Sequence, residues 1–209
     1  RSNFLHTLLA TSGDTLGITA LTCILPVVPM FHANAWGVPY AAAAAGAKLV
    51  LNGPIHDPET LHMLIDREKV TMAAAVPTVW MGMLKFLKAT GKDMVDLKIV
   101  TIGGSAVPRT MIKTFQDDYG VRVNHAWGMT ETTSIGSGPS TTAPVAEAGE
   151  AAVMDAKMTQ GRGVFGAELK VVDEVGEELP MDGKSAGNLL VRGWAVSSAY
   201  LKGESNKEF

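Results

Sequence analysis

The chain has 209 residues, 46% of them hydrophobic and 19% charged, with a formal net charge of −3. Ordinary soluble domains carry about 25% charged residues, so this is an apolar, charge-poor globular chain and not a disordered one. A single cysteine, Cys23, excludes a disulfide-stapled mini-protein, and so small a net charge leaves no electrostatic footprint for nucleic acid or an anionic membrane.

In chain order, residues 2–10 read as a helix and 22–28 as a strand. The apolar run at 18–31 is broken by Thr19, Thr22, Pro26 and Pro29. The next run, 35–47, is too short for the roughly 20 residues a membrane span needs, so no transmembrane segment is expected. No basic and apolar leader opens the chain; with one thiol, that points to a reducing cytoplasm. Residues 35–45 read as a helix stopped by Gly46, with Pro39 weighing against it.

From residue 48 the chain alternates strand and helix. Residues 48–51 read as a strand, and Asp57-Pro58-Glu59 as a helix start: a capping carboxylate, a proline in the first turn and an acid at the positive helix end. Residues 70–76 read as a buried strand, 78–89 as a helix stopped by Gly91, and 98–102 as another strand. Pro108 opens a helix whose Met111, Phe115 and Tyr119 share one face and which Gly120 ends; 121–126 is the next strand. This alternation is the signature of an α/β fold with a doubly wound, mostly parallel sheet. After Gly136 the character changes. Residues 137–144 read as a loop, 146–158 as a short helix, and 168–172 and 188–192 as antiparallel strands of a smaller β-rich subdomain. The expected division is 1–150 for the α/β part and 151–209 for an incomplete β-rich part. The chain begins at Arg1 without a methionine and stops at Phe209 among charges, which predicts a slice of a larger protein.

In open α/β sheets, ligands bind at the C-terminal ends of strands. The loop Gly103-Gly104-Ser105-Ala106-Val107-Pro108 follows one such end and lets backbone approach a flat ligand, although an ordinary βα turn uses the same residues. His125-Ala126-Trp127-Gly128-Met129-Thr130-Glu131 follows another, with an aromatic plane beside open backbone, a hydroxyl for a phosphate oxygen and a carboxylate suited to Mg²⁺. The plainer alternative makes Trp127 core and Thr130 a helix cap. In the segment at 29–37, His32 and Trp36 lie four apart and share a face if the stretch is helical. Val76-Pro77-Thr78 follows a strand in the same way, or simply starts a helix.

The segments PMFHANAWG (29–37), VPT (76–78), IGGSAVP (102–108), HAWGMTE (125–131), GRGVFGAELKVVD (161–173) and GNLLVRG (187–193) together resemble, in order and spacing, the AMP-forming acyl-CoA synthetases of the adenylate-forming superfamily. The wording is most similar to the fatty-acyl branch, especially its medium-chain and methylmercaptopropionate members. The resemblance implies that Trp127 stacks on adenine beside Gly128, with His125 near the adenine amino group. It places the backbone of Gly104, Ser105 and Ala106 along the adenine and acyl side, Thr130 on the α-phosphate and Glu131 on Mg²⁺. His32 would then sit by the substrate carboxylate and phosphate, Trp36 would gate the acyl tunnel, and Val76, Gly103 and Met129 belong to the acyl side.

Carried to function, the resemblance implies ATP-dependent activation of a fatty acid to an acyl-adenylate and then acyl-CoA, with ATP, Mg²⁺ and CoA as the small molecules and a homodimer as a precedent in the branch. The family's phosphate loop, ribose-binding Asp and mobile domain with its catalytic Lys are not within this sequence, so the chain alone is expected to be inactive. Two other classes stay open: an adenylating enzyme for an aryl or other small acid, and a nucleotide-binding or assembly module without turnover. The apolar Ala33, Ala35 and Trp36 disfavour an amino-acid substrate, whose ammonium needs a carboxylate.

Overall fold

Helix boundaries in the computed structural model, which describes residues 2–13, 15–139 and 141–201, follow local chemistry. The charged stretch at 203–208 lies outside the described residues. The first part of the chain runs α1 (Ser2–Thr11), β1 (Cys23–Pro26), the short turn α2 (Ala33–Trp36), α3 (Val38–Ala45), β2 (Lys48–Leu49) and α4 (Pro58–Glu68). It continues through β3 (Met72–Ala75), α5 (Pro77–Thr90), β4 (Ile99–Ile102), α6 (Arg109–Tyr119) and β5 (Arg122–His125). Asp57 caps α4 as expected, its carboxylate accepting from the Thr60 N–H at 2.9 Å. Gly91 and Gly120 end α5 and α6 with φ of 68° and 64°, a left-handed conformation that glycine adopts without a Cβ penalty.

The five strands form one parallel sheet in the order β2-β1-β3-β4-β5. Met72 lies opposite Ile99, and Ile99 opposite Arg122. Side chains alternate across it. Leu25, Ala73, Val100 and Val123 join the core under α4–α6, with Trp80, Met83 and Phe115. Ile24 and Met72 face the other way, onto Ala10, Val38 and Ala41 of α1 and α3. Both faces are therefore covered, which is why β1 and β3 are buried at every residue and read as apolar runs.

Three expectations change in detail. The helix expected from residue 35 starts at Val38, because Pro39 fits its first turn, where no N–H is needed. The loop expected at 137–144 contains β6 (Ser137–Gly138) and the start of α7 (Ala143–Glu147). The single helix expected at 146–158 is split at Gly149 (φ 96°), so that α8 spans Glu150–Met158. Although α8 falls almost wholly after residue 150, it packs on β5 and α6, with Met154 and Met158 against the first core. Beyond it, β7 (Arg162–Gly163) pairs antiparallel with β6, and β8 (Ala167–Val172) lies between β9 (Glu178–Leu179) and β10 (Asn188–Gly193), both antiparallel to it.

Candidate functional site

The loops that follow β1, β3, β4 and β5 all leave the same edge of the parallel sheet, as parallel strands require. The cleft between them is lined by His32, Trp36, Gly103, Gly104, Trp127 and Gly128, six of the residues singled out in the sequence. Val76 adjoins them: its Cγ1 lies 3.3 Å from where a Cβ on Gly104 would stand. Ser105, Ala106, Met129 and Thr130 are exposed on the rims of the same loops and do not line the cleft.

Trp36 reaches the cleft by an unusual backbone. Ala33, Asn34, Ala35 and Trp36 all have φ between 45° and 56°, so the turn is left-handed and the shared face expected of a right-handed helix is not formed. Each L-residue held this way costs roughly 1–2 kcal/mol. The turn is pinned by the Ser134 hydroxyl, which donates to the Ala33 carbonyl at 3.0 Å, and closed by the Gly37 N–H on Asn34 O at 3.0 Å. The indole ends against Gly103, its Cη2 3.4 Å from where a Cβ would be.

Trp127 is half-buried and bridges to Ser137 through the backbone. Its ring lies on Gly136, where a Cβ would come within 2.3 Å of Cζ3; a Cβ on Gly128 would meet Ser134 O at 1.7 Å. Gly128 therefore admits only glycine against the Ser134 backbone, and a side chain at 136 would displace the indole. Trp127 is neither simple core nor free.

His125 ends β5 and is buried. Burial lowers its pKa below the ordinary histidine value, so the ring is neutral at pH 7. Nδ1 lies 3.4 Å from the Lys157 carbonyl and Nε2 has no partner. With the proton on Nδ1, Nε2 is an acceptor, sealed from the cleft by burial. Lys157 is partly buried, which lowers the pKa of its amine, and it donates to the Gln116 side-chain oxygen.

Thr130 and Glu131 sit in a 3₁₀ turn (Thr130–Thr132). Thr130 is not its cap; the Met129 N–H is bonded by the Thr132 hydroxyl at 3.0 Å. Three bonds tie this turn to the segment after β10. Tyr200 OH donates to Glu131 Oε1 at 2.5 Å, the Ser197 N–H to Glu131 O at 2.7 Å, and the Thr133 hydroxyl to Ala195 O at 2.6 Å. No group of three His, Cys, Asp or Glu side chains suited to a metal exists among the described residues. A lone carboxylate still fits Mg²⁺, which typically takes one or two carboxylates plus substrate phosphates.

Sequence reasoning missed Ser134 and Tyr200. Their roles depend on partners 101 and 69 residues away, and no local pattern marks them.

The family described as AMP-binding enzyme matches residues 2–201. The chain is 46% identical over 201 residues to a medium-chain-fatty-acid–CoA ligase of Ectopseudomonas oleovorans, covering 96% of this chain and 37% of that protein. It is 43% identical over 205 residues to a 3-methylmercaptopropionyl-CoA ligase of Ruegeria pomeroyi, covering 97% and 38%. The chain thus spans less than two fifths of the length of these relatives. Its fold matches the crystal structure of a long-chain-fatty-acid-CoA ligase from Archaeoglobus fulgidus with a TM-score of 0.81 at 23% identity, over 98% of this chain and 40% of that one. An o-succinylbenzoate CoA synthetase from Bacillus subtilis, solved with ATP and magnesium ion, matches with a TM-score of 0.76 at 22% identity, over 98% and 39%.

Proposed function

The chain belongs to the AMP-binding enzymes, and on that premise we propose that it forms the adenine and acyl sites of an AMP-forming CoA ligase acting on a fatty acid of medium length. The observation that carries this is the cleft at the strand ends, where two tryptophans, paired glycines and His32 converge beside the turn bearing Glu131. In this reading the indole of Trp127 stacks on adenine, and the exposed backbone of Gly104, Ser105 and Ala106 lines its edge. His125 belongs to the adenine side in the same reading, although it is buried behind the loop and does not line the cleft.

In the first half-reaction a carboxylate oxygen of the acid bonds to the α-phosphorus of ATP and the bond to pyrophosphate breaks. In the second, the CoA thiol attacks the acyl carbon, loses its proton and displaces AMP. No protein nucleophile is needed. The first step brings two anions together, so donors aimed at the α-phosphate decide its rate. Thr130 supplies a hydroxyl there and His32 meets the carboxylate. Glu131 holds Mg²⁺, which when bound neutralises phosphate charge. Trp36, over Gly103, closes the acyl side with Val76 and Met129. The division into a site-bearing part (1–150) and a β-rich part (151–209), with α8 as the joint, belongs to the same proposal. So does a cytoplasmic setting; among the described residues no helix is long and apolar enough to cross a membrane.

The test is a product analysis. The full-length protein, given ATP, CoA and octanoate, should release AMP and pyrophosphate in step with acyl-CoA. Release of ADP and phosphate would overturn the reading.

A further inference from the structure

A second cavity, of about 150 Å³, lies against β5, the last strand of the parallel sheet, and shares no lining residue with the strand-end cleft. Its wall joins Thr15, just beyond α1, to Arg122 and Asn124 on β5, Lys157 near the end of α8 and Arg162 on β7. Among the described residues that line it, three are basic and none is acidic. Asn124 is 4% exposed and Thr15 6%, yet neither the Asn124 carboxamide nor the Thr15 hydroxyl has a hydrogen-bond partner. They are not sealed off as the Thr101 hydroxyl opposite Asn124 is: their polar atoms keep a small open surface, and the cavity is what they border. Polar groups buried to this degree cost stability until a partner arrives.

The cations point the same way. Arg122 makes no ion pair among the described residues. The Lys157 ammonium donates to the Gln116 side-chain oxygen and has two further hydrogens to offer. Burial first, and then the charge of Arg122, lower the Lys157 pKa, so the two cations feel each other. A single water takes roughly 10–15 Å³ of such space, which leaves room here for a polyatomic ion. We propose that this cavity is a second anion site that takes a phosphate group: Arg122 and Lys157 offset its charge, while the Asn124 carboxamide and the Thr15 hydroxyl donate to its oxygens. Hydrogen bonds to an ionised acceptor are about twice as strong as neutral ones, so the ion recovers what the unpaired groups lose. Free phosphate and pyrophosphate, the product of the proposed first half-reaction, both present this chemistry. The site stands apart from the CoA-ligase reading, because none of its residues belongs to the strand-end cleft.

The experiment titrates the full-length protein calorimetrically, without added metal, with inorganic phosphate and, in a separate arm, with pyrophosphate. Each arm is set against chloride of equal ionic strength. Saturable binding that survives Glu131→Gln is expected in at least one arm. Arg122→Gln and Asn124→Ala should each weaken it at least about ten-fold. Lys113→Gln, which removes an exposed cation of α6 outside the cavity, should leave it unchanged. Arg122 is exposed, so its variant keeps the test sound if Asn124→Ala fails to fold. A melt adds a second readout: the bound anion should raise the Tm of wild type and not that of Arg122→Gln. The arm with the tighter constant names the source, the free ion or the reaction's own product, and either supports the site. No saturable binding in either arm, as when water or another part of the chain fills the cavity, would overturn the proposal. So would equal weakening by Lys113→Gln, or binding that Arg122→Gln keeps and Glu131→Gln loses, which puts the anion in the strand-end cleft. AMP release with octanoate is measured separately and decides the CoA-ligase reading alone.

Discussion

The parallel sheet and the antiparallel strands that follow it are built to different standards. β1 and β3 are buried at every residue, and the sheet is covered on both faces by helices. β10 carries Leu189 and Leu190 nearly half exposed, and nearby Phe165 and Trp194 stack edge to face with most of their surface in solvent. The first region therefore supplies a rigid frame with four loops on one edge. The second contributes by reaching back, through residues 195–200, to the turn that bears Glu131. A site placed on stiff strand ends tolerates little displacement, while its outer cover can be lightly held.

That contrast can be tested by its largest expected effect. Phe115→Ala, in the middle of the first core, should cost about 3–5 kcal/mol in urea unfolding, whereas Leu190→Ala on β10 should cost about 1 kcal/mol or less. Equal losses would show that the two regions share one stability.

Next comes the point where the regions meet. Glu131→Gln in the full-length protein should cost about 2–4 kcal/mol in the adenylation transition state, roughly a 30- to 1,000-fold fall. Pyrophosphate exchange measures it. An unchanged rate would make Glu131 only a charge at the start of a turn. Tyr200→Phe removes the hydroxyl on Glu131 Oε1 and should weaken Mg²⁺-ATP use by about 1–2 kcal/mol. Thr133→Ala, which cuts a neighbouring tie to the same segment, serves as the control. If both variants lose equally, the segment only holds the turn in place.

The smallest effect concerns pH. Burial holds the His125 pKa below its ordinary 6.5, so between the lowered folded value and 6.5 the unfolded chain binds more protons. Stability should therefore decline as pH falls below 6.5 and be flat above it. Urea midpoints at pH 7.5 and 5.5 should converge in His125→Gln; an undiminished slope in that variant would place the titration elsewhere.

Much of the frame was legible because its signals are local. The Asp57 cap, the glycines at 46, 91 and 120, and the apolar runs between them locate strands and helices to within a few residues. The site loops were legible for a second reason: parallel strands joined by helices bring their C-terminal ends to one edge, so His32, Gly103 and Trp127 had to converge. The left-handed turn at 33–36 was not legible. Within Ala-Asn-Ala-Trp only Asn34 tolerates φ above zero readily, and a run of four such residues is held by contacts the local sequence does not show, among them the Ser134 hydroxyl, the Gly37 and Ala35 backbone bonds and packing on Gly103.

The sequence by itself determined the alternation of elements, their caps, the doubly covered parallel sheet and the edge from which its loops leave. Hydrophobic period and backbone preference are read over a few residues, and the handedness of parallel connections leaves few ways to assemble them. Only the tertiary structure decided which long-range pairs meet: Tyr200 on Glu131, Ser134 on Ala33, α8 on β5. It also decided that the Thr101 hydroxyl, one polar group in an apolar strand, would be buried without a hydrogen-bond partner. Such contacts are set by loop closure and close packing across the whole fold, and neither leaves a periodic mark on the chain.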